Sequence, residues 1–139
     1  MLNRILAIDY GDKKVGLALS DPMKIIAKPY KTITNDSKES LLNDIIQIIQ
    51  LKDVNEIVVG LPKTLKNTYS EQTYKVKDFI DYITGSLDIN VVIVDERLSS
   101  IEAKRSLIAQ GIKTGHNKKD VDMTAAALFL QNYLDKIEK

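Results

Sequence analysis

The 139 residues contain no cysteine and a single histidine. Disulfides, thiolate metal ligands and a cysteine nucleophile are therefore excluded, and so is a histidine-rich zinc site. Any metal must be held by oxygen, which points to Mg²⁺ or Mn²⁺. An excess of one charge is also missing. The formal net charge is +1, so a polyanionic partner has to be met by a local basic patch. Arginine is scarce, three residues against seventeen lysines, so each arginine is considered individually. No apolar run approaches the ~20 residues of a membrane span, and Asp9 breaks the first apolar stretch too early for a signal peptide. These absences predict a cytoplasmic protein without a membrane partner. No repeat, linker or low-complexity segment is visible, and the length suits one domain over residues 1–139 with a real core.

Apolar periodicity supplies the elements. Arg4 to Asp9 reads as a buried strand, Tyr10 to Lys14 as a turn in which Gly11 can take positive φ, and Val15 to Ser20 as the returning strand of a hairpin. A third strand lies within Lys24 to Thr34, where Pro29 suits an edge. Asp36-Ser37-Lys38-Glu39 resembles a capping box ahead of a helix with Leu41, Leu42, Ile45, Ile46, Ile48 and Ile49. Glu56 to Val59 is a short buried strand ended by Gly60-Leu61-Pro62. Val76, Phe79, Ile80 and Ile83 mark a second helix stopped by Gly85, and Asn90 to Asp95 a fifth strand. Ser99 and Glu102 have capping-box spacing at the start of a further helix. Gly111 to Lys119 reads as a mobile loop, and a last helix runs from about Asp120 to Lys136. The order βββαβαβα describes a mixed five-stranded α/β sheet. Its first three strands are antiparallel, and the last two are reached by crossovers and lie parallel to a neighbour.

Strand ends in such sheets are where ligands bind, and acids stand there. Asp9 closes the first strand. It can be read as a turn former, but a carboxylate ending a buried strand is expensive without a partner. Asp95 and Glu96 close the fifth strand. Neighbouring residues point to opposite faces, so one of the two faces Asp9, and the pattern alone does not choose which. Asp122 lies in the first turn of the last helix, where the macrodipole favours an acid in any case, and Asp120 competes with it as the cap. Ala125, Ala126 and Ala127 let that helix approach the sheet closely. Acids converging there repel one another unless a cation joins them, which points to a divalent-metal site and phosphodiester chemistry. Lysines and arginines gather on the same loops. For a single lysine, solvated surface is the plainer reading, whereas Arg97 is set in sequence beside the acids. His116, alone in its loop, reads as incidental.

The segments Ala7-Ile8-Asp9-Tyr10-Gly11 with Lys14-Val15-Gly16-Leu17-Ala18, Val58-Val59-Gly60-Leu61-Pro62, Asp95-Glu96-Arg97-Leu98-Ser99-Ser100 with Glu102-Ala103, and Val121-Asp122-Met123-Thr124-Ala125-Ala126 follow one another in order. Over nearly its full length the chain thereby resembles the YqgF family, small RNase H-like proteins linked to Holliday junction resolution and to pre-16S ribosomal RNA cleavage. The resemblance implies an RNase H-like fold and a metal site of Asp9, Glu96 and Asp122, which selects Glu96 over Asp95. Two Mg²⁺ or Mn²⁺ ions would clamp the scissile phosphate, with Asp9 bridging them. Lys14, Arg97, Lys118 and Lys119 would bind substrate. Gly11, Gly60, Pro62, Asp95 and Ser99 would support the site. The expected activity is cleavage of structured RNA, most specifically precursor 16S ribosomal RNA, by a monomer or homodimer. The rivals are a junction resolvase acting on branched DNA, which needs a two-fold dimer, and a non-catalytic RNA-binding assembly module. An actin-like ATPase would need two such domains. One departure stands out: Lys66-Asn67 replaces the Asp-Gly turn usual after Gly60-Leu61-Pro62.

Overall fold

A computed structural model describes residues 3–62, 70–95 and 118–137, the side chains of 118–122 excepted. Five strands form one sheet: β1 (Arg4–Asp9), β2 (Lys14–Ser20), β3 (Ala27–Thr34), β4 (Val54–Leu61) and β5 (Asn90–Asp95), in the spatial order β3-β2-β1-β4-β5. β1, β2 and β3 are antiparallel neighbours, β4 lies parallel to β1, and β5 lies parallel to β4. This is the mixed sheet expected, with both crossovers returning the chain to the same direction as β1.

Alternation along the strands divides the core into two layers. Leu6, Ile8, Leu17, Ile57 and Val59 face α1 (Lys38–Lys52) and α2 (Glu71–Ser86), which bury Leu41, Ile45, Ile48, Val76, Phe79, Ile80 and Ile83 against them. Ile5, Ala7, Ala18 and Val58 face the other way, onto Ala126, Ala127, Phe129, Leu130 and Leu134 of α3 (Lys118–Ile137). The central strands are covered on both sides, which explains why they read as continuous apolar runs.

Several local expectations are corrected. The cap of α1 is Ser37, not Asp36; its hydroxyl accepts from the Ser40 amide at 3.0 Å. Gly85 does not stop α2 but lies inside its last turn, and the helix ends at Leu87. The start of α2 is a reciprocal box between Ser70 and Thr73. The buried Thr73 hydroxyl also donates to the Pro62 carbonyl, tying the helix to the end of β4. Gly11 does not adopt positive φ; its lack of a side chain serves a close approach described below. Lys118 and Lys119, expected in a loop, belong to α3. The helix expected from Ser99, and the loop from Gly111 as far as residue 117, lie outside the described residues.

α3 has a definite direction across the sheet. The Gln131 side chain accepts from the Ala27 amide and donates to the Ile25 carbonyl, both at 2.9 Å, and the Tyr133 hydroxyl pairs with Glu56 at 3.2 Å. Burial, followed by the charge of Glu56, pushes the Tyr133 phenol above its ordinary range. Ala27 opens β3 and Glu56 lies near the start of β4, so these anchors sit at the edge where β1 begins. α3 therefore runs antiparallel to β1, and its first turns reach the edge where β1, β4 and β5 end.

Candidate active site

Asp9 is the last residue of β1 and is partly buried. Two residues after Ala7 and four after Ile5, it continues the α3-facing row. Its partner across β2 is Gly16, also on the α3 side because Ala18 is. On β4, the pair Ile8–Val59 is followed by Gly60, which continues the row of Val58. Asp9 is thus bracketed on its own face by a glycine from each adjacent strand, and neither contributes a side chain over the carboxylate. Lys14, exposed at the start of β2, lies on the same face two residues from Gly16.

The turn after Asp9 is held from three sides. A Cβ at Gly11 would overlap the Lys14 carbonyl oxygen, so only glycine lets the hairpin close this tightly. The Asn35 side chain donates to the Gly11 carbonyl and the Asn35 amide to the Lys13 carbonyl, both at 2.8 Å. Gln72 donates to the Tyr10 carbonyl at 3.3 Å, Lys75 pairs with Asp12 at 3.3 Å, and Tyr10 stacks on Phe79 with ring centroids 4.5 Å apart. Sequence reasoning missed Asn35, Gln72, Thr73 and Lys75. No local signal marks Asn35, Gln72 or Lys75, because each acts on a segment far away in the chain; Thr73 stands three residues after Ser70, a spacing that does mark a cap.

The choice between the two acids ending β5 is narrowed by packing. Val91 packs into the α1/α2 layer, whereas Val92 and Val94 pack into the α3 layer. Asp95 therefore belongs to the α1/α2 side, opposite to Asp9, and it is exposed there. Glu96, Arg97 and Ser99 lie outside the described residues. Asp122 is within the first turns of α3, with Lys118 and Lys119 just before it. Ala125, Ala126 and Ala127 are buried against the sheet, as the run of small residues predicted. Among the described residues no three acidic or histidine side chains gather closely enough to share a metal ion. Of the expected triad only Asp9 is described with its side chain.

The fold is that of the RNase H-like resolvases. Thermus thermophilus RuvC bound to a Holliday junction superposes with a TM-score of 0.60 at 13% identity, covering 98% of this chain and 96% of the other. Fowlpox virus resolvase bound to Holliday junction DNA superposes with a TM-score of 0.59 at 13% identity, covering 98% and 99%. Residues 3–136 match the family model "RuvX: Holliday junction resolvase", and the chain belongs to that family. Its relatives include proteins named "Putative pre-16S rRNA nuclease". That of Desulforamulus reducens is 40% identical and covers 95% of this chain and 96% of its own length. That of Clostridioides difficile is 41% identical, with coverage of 95% and 94%.

Proposed function

We propose that this chain is a divalent-metal-dependent nuclease that cleaves precursor 16S ribosomal RNA, with Asp9, Glu96 and Asp122 as its metal ligands. As a member of a nuclease family with resolvase architecture, it is a phosphodiester hydrolase. The observation that carries the site assignment is the setting of Asp9: a strand-end carboxylate flanked by Gly16 and Gly60, at the edge where the first turns of α3 arrive. An all-carboxylate donor set suits Mg²⁺ or Mn²⁺, and Gly16 and Gly60 put no side chain beside Asp9. When bound, such an ion polarises the phosphoryl oxygens and lowers the pKa of water.

The remaining assignments follow from register. Asp95 is on the wrong face, so Glu96, the next residue in sequence, is the acid whose parity supports a place beside Asp9. Asp122 is spaced three and four residues from the buried Ala125 and Ala126, and this helical spacing supports it over Asp120. Lys14 shares the face of Asp9 and is positioned to meet a phosphate, and Arg97, Lys118 and Lys119 are the further cations assigned to the substrate. A rigid turn after Asp9 suits catalysis, because a nucleophile and a phosphate must be held in line.

The substrate comes from the names of the relatives. The second reading, Holliday junction cleavage, is favoured by the family description and by the two junction-bound resolvases. Incubating the protein with Mn²⁺ or Mg²⁺ on precursor 16S ribosomal RNA and on a four-way DNA junction separates them. Metal-dependent cleavage of the RNA alone is expected. Paired symmetric nicks in the junction with intact RNA would replace this reading by the resolvase one, and no cleavage of either would overturn the enzyme assignment.

A further inference from the structure

At the opposite edge of the sheet, where β1 begins, a groove of about 310 Å³ is lined by Arg4, Leu19, Ile26, Lys28, Pro29 and Tyr30, together with the β2–β3 loop. Its composition arises from a break in β3. Leu17 pairs with Lys31 but Ala18 pairs with Pro29, so Tyr30 is an extra, bulged residue. The bulge reverses the alternation. Lys28, Tyr30 and Lys31 consequently all lie on the α1 side, although strict alternation would put Lys31 on the other face from Lys28. The Lys31 and Lys52 ammonium groups sit 5.4 and 5.6 Å from the centre of the Tyr30 ring. The Arg4 guanidinium is held at the same place by the Lys52 carbonyl, at 3.2 Å.

Two lysines thus stand over one aromatic ring, and Arg4 and Lys28 line the same groove, in a chain whose net charge is only +1. Acids near this edge include Asp21, Asp53 and Asp135, the last accepting from the Gln131 side chain at 3.0 Å. The Asp21 carboxylate accepts from the amides of Met23, Ile25 and Ile26 at 3.1, 2.7 and 2.8 Å, so its oxygens point into its own loop. Those amide bonds, that of Ile26 foremost, hold it below the usual carboxylate range. Asp53 is exposed at the end of α1. Ile26 lines the groove yet is 51% exposed, so apolar surface stands open beside the cations.

We propose that this groove is an exosite for a single-stranded RNA flank of the substrate, with Arg4, Lys28, Lys31 and Lys52 meeting phosphates and one unstacked base entering against Tyr30, Ile26 and Pro29. A duplex offers only its phosphates, whereas an aromatic and apolar floor gains from a base that is free to leave the stack. β1 runs from Arg4 to Asp9, so at ~3.3 Å per residue the groove lies roughly 17 Å from Asp9 along the strand, on the α1 side of the sheet where Asp9 is on the α3 side. It would select substrates by a tail several nucleotides from the cut. The RNA identity of the tail rests on the proposed function.

The test measures binding apart from cleavage. A short fluorescein-labelled single-stranded RNA is titrated, without divalent ions, with the wild type and with the variants Lys28→Glu/Lys31→Glu and Tyr30→Leu; a duplex of the same length serves as the comparison. Lys28 and Lys31 are exposed, and Tyr30→Leu keeps the apolar packing. The double variant should bind single strands at least tenfold more weakly. The slope of log K against log salt should fall by about 1.4, at about 0.7 for each lost phosphate contact. Tyr30→Leu should weaken single-strand binding severalfold and leave duplex binding alone. Unchanged affinity and slope in the double variant would overturn the proposal. So would equal losses on duplex and single strand in Tyr30→Leu, or competition by polyglutamate as effective as by RNA. If the wild type never cleaves RNA but the double variant still loses binding, the nuclease reading falls and the exosite stands.

Discussion

Asp9 and Gly11, two residues apart, have opposite constraints: one needs its side chain and the other must have none. Replacing Asp9 by Asn keeps the shape and removes the charge. Cleavage in Mn²⁺ should fall by more than about 100-fold, exceeding the 10–100-fold typical of partners behind a metal ligand. The melting temperature without metal should hold or rise, since the proposed cluster with Glu96 and Asp122 would lose one of its repelling charges. Cleavage at wild-type rate by purified Asp9→Asn would remove the metal-site assignment. Gly11→Ala drives a methyl group into the Lys14 carbonyl and should cost about 1–3 kcal/mol, read as a lower denaturant midpoint. Gly85 is the internal control. No atom lies within 4 Å of a Cβ built there, and the site is helical, so Gly85→Ala should stabilise by about 0.5–1 kcal/mol. If both substitutions had the same sign, close packing at Gly11 would not be the reason for glycine there.

Among the elements, α3 carries the heaviest geometric demand. Its anchors at Gln131 and Tyr133 determine where it ends, and its alanines determine how near the sheet its first turns can come. Ala126 is fully buried against the α3 face. Ala126→Leu should destabilise by about 1–3 kcal/mol through overpacking. It should also reduce metal-dependent cleavage beyond what the lost stability explains at assay temperature, because the turn bearing Asp122 is levered away from Asp9. Comparing the denaturant midpoint with the cleavage rate of the folded protein checks this. Destabilisation with full activity would place Asp122 outside the site. β3 shows the complementary case, an edge strand whose register is broken by a bulge beside Pro29. Proline removes a ladder donor and is tolerated at such a position.

For the whole molecule, the metal site should appear as stability. An ion that binds only the folded chain stabilises it by mass action, by about 2.7 kcal/mol at a hundred times its Kd. Mn²⁺ should therefore raise the melting temperature of the wild type by several degrees. Asp95→Asn should shift like the wild type, because Asp95 faces α1 and α2, and Glu96→Gln should shift much less. A reversal, with Asp95→Asn losing the shift and Glu96→Gln keeping it, would show that the parity argument fails beyond the end of β5.

Among the described residues, the order of strands and helices, the mixed direction of the sheet, the edge position of β3 and the place of Asp9 at a strand end were all readable from the chain. Each rests on neighbours in sequence: periodicity two or four, a proline, an apolar run ended by an acid. Other features were decided only by tertiary structure. Asp36 and Ser37 both qualify as caps, and local chemistry could not rank them. Gly85 looks like a stop, but packing carries α2 past it. Asp95 could face either side until α3 covers one face of the sheet and α1 and α2 cover the other; only then does the alternation of β5 put it opposite Asp9. The ties from Asn35, Gln72 and Lys75 to the turn after Asp9, and the contacts of Lys52 with Tyr30 and Arg4, join segments distant in the chain. Sequence by itself encodes each backbone's local preference and the number of apolar faces. Which face meets which helix, and so which polar groups meet one another, is settled when those faces are buried.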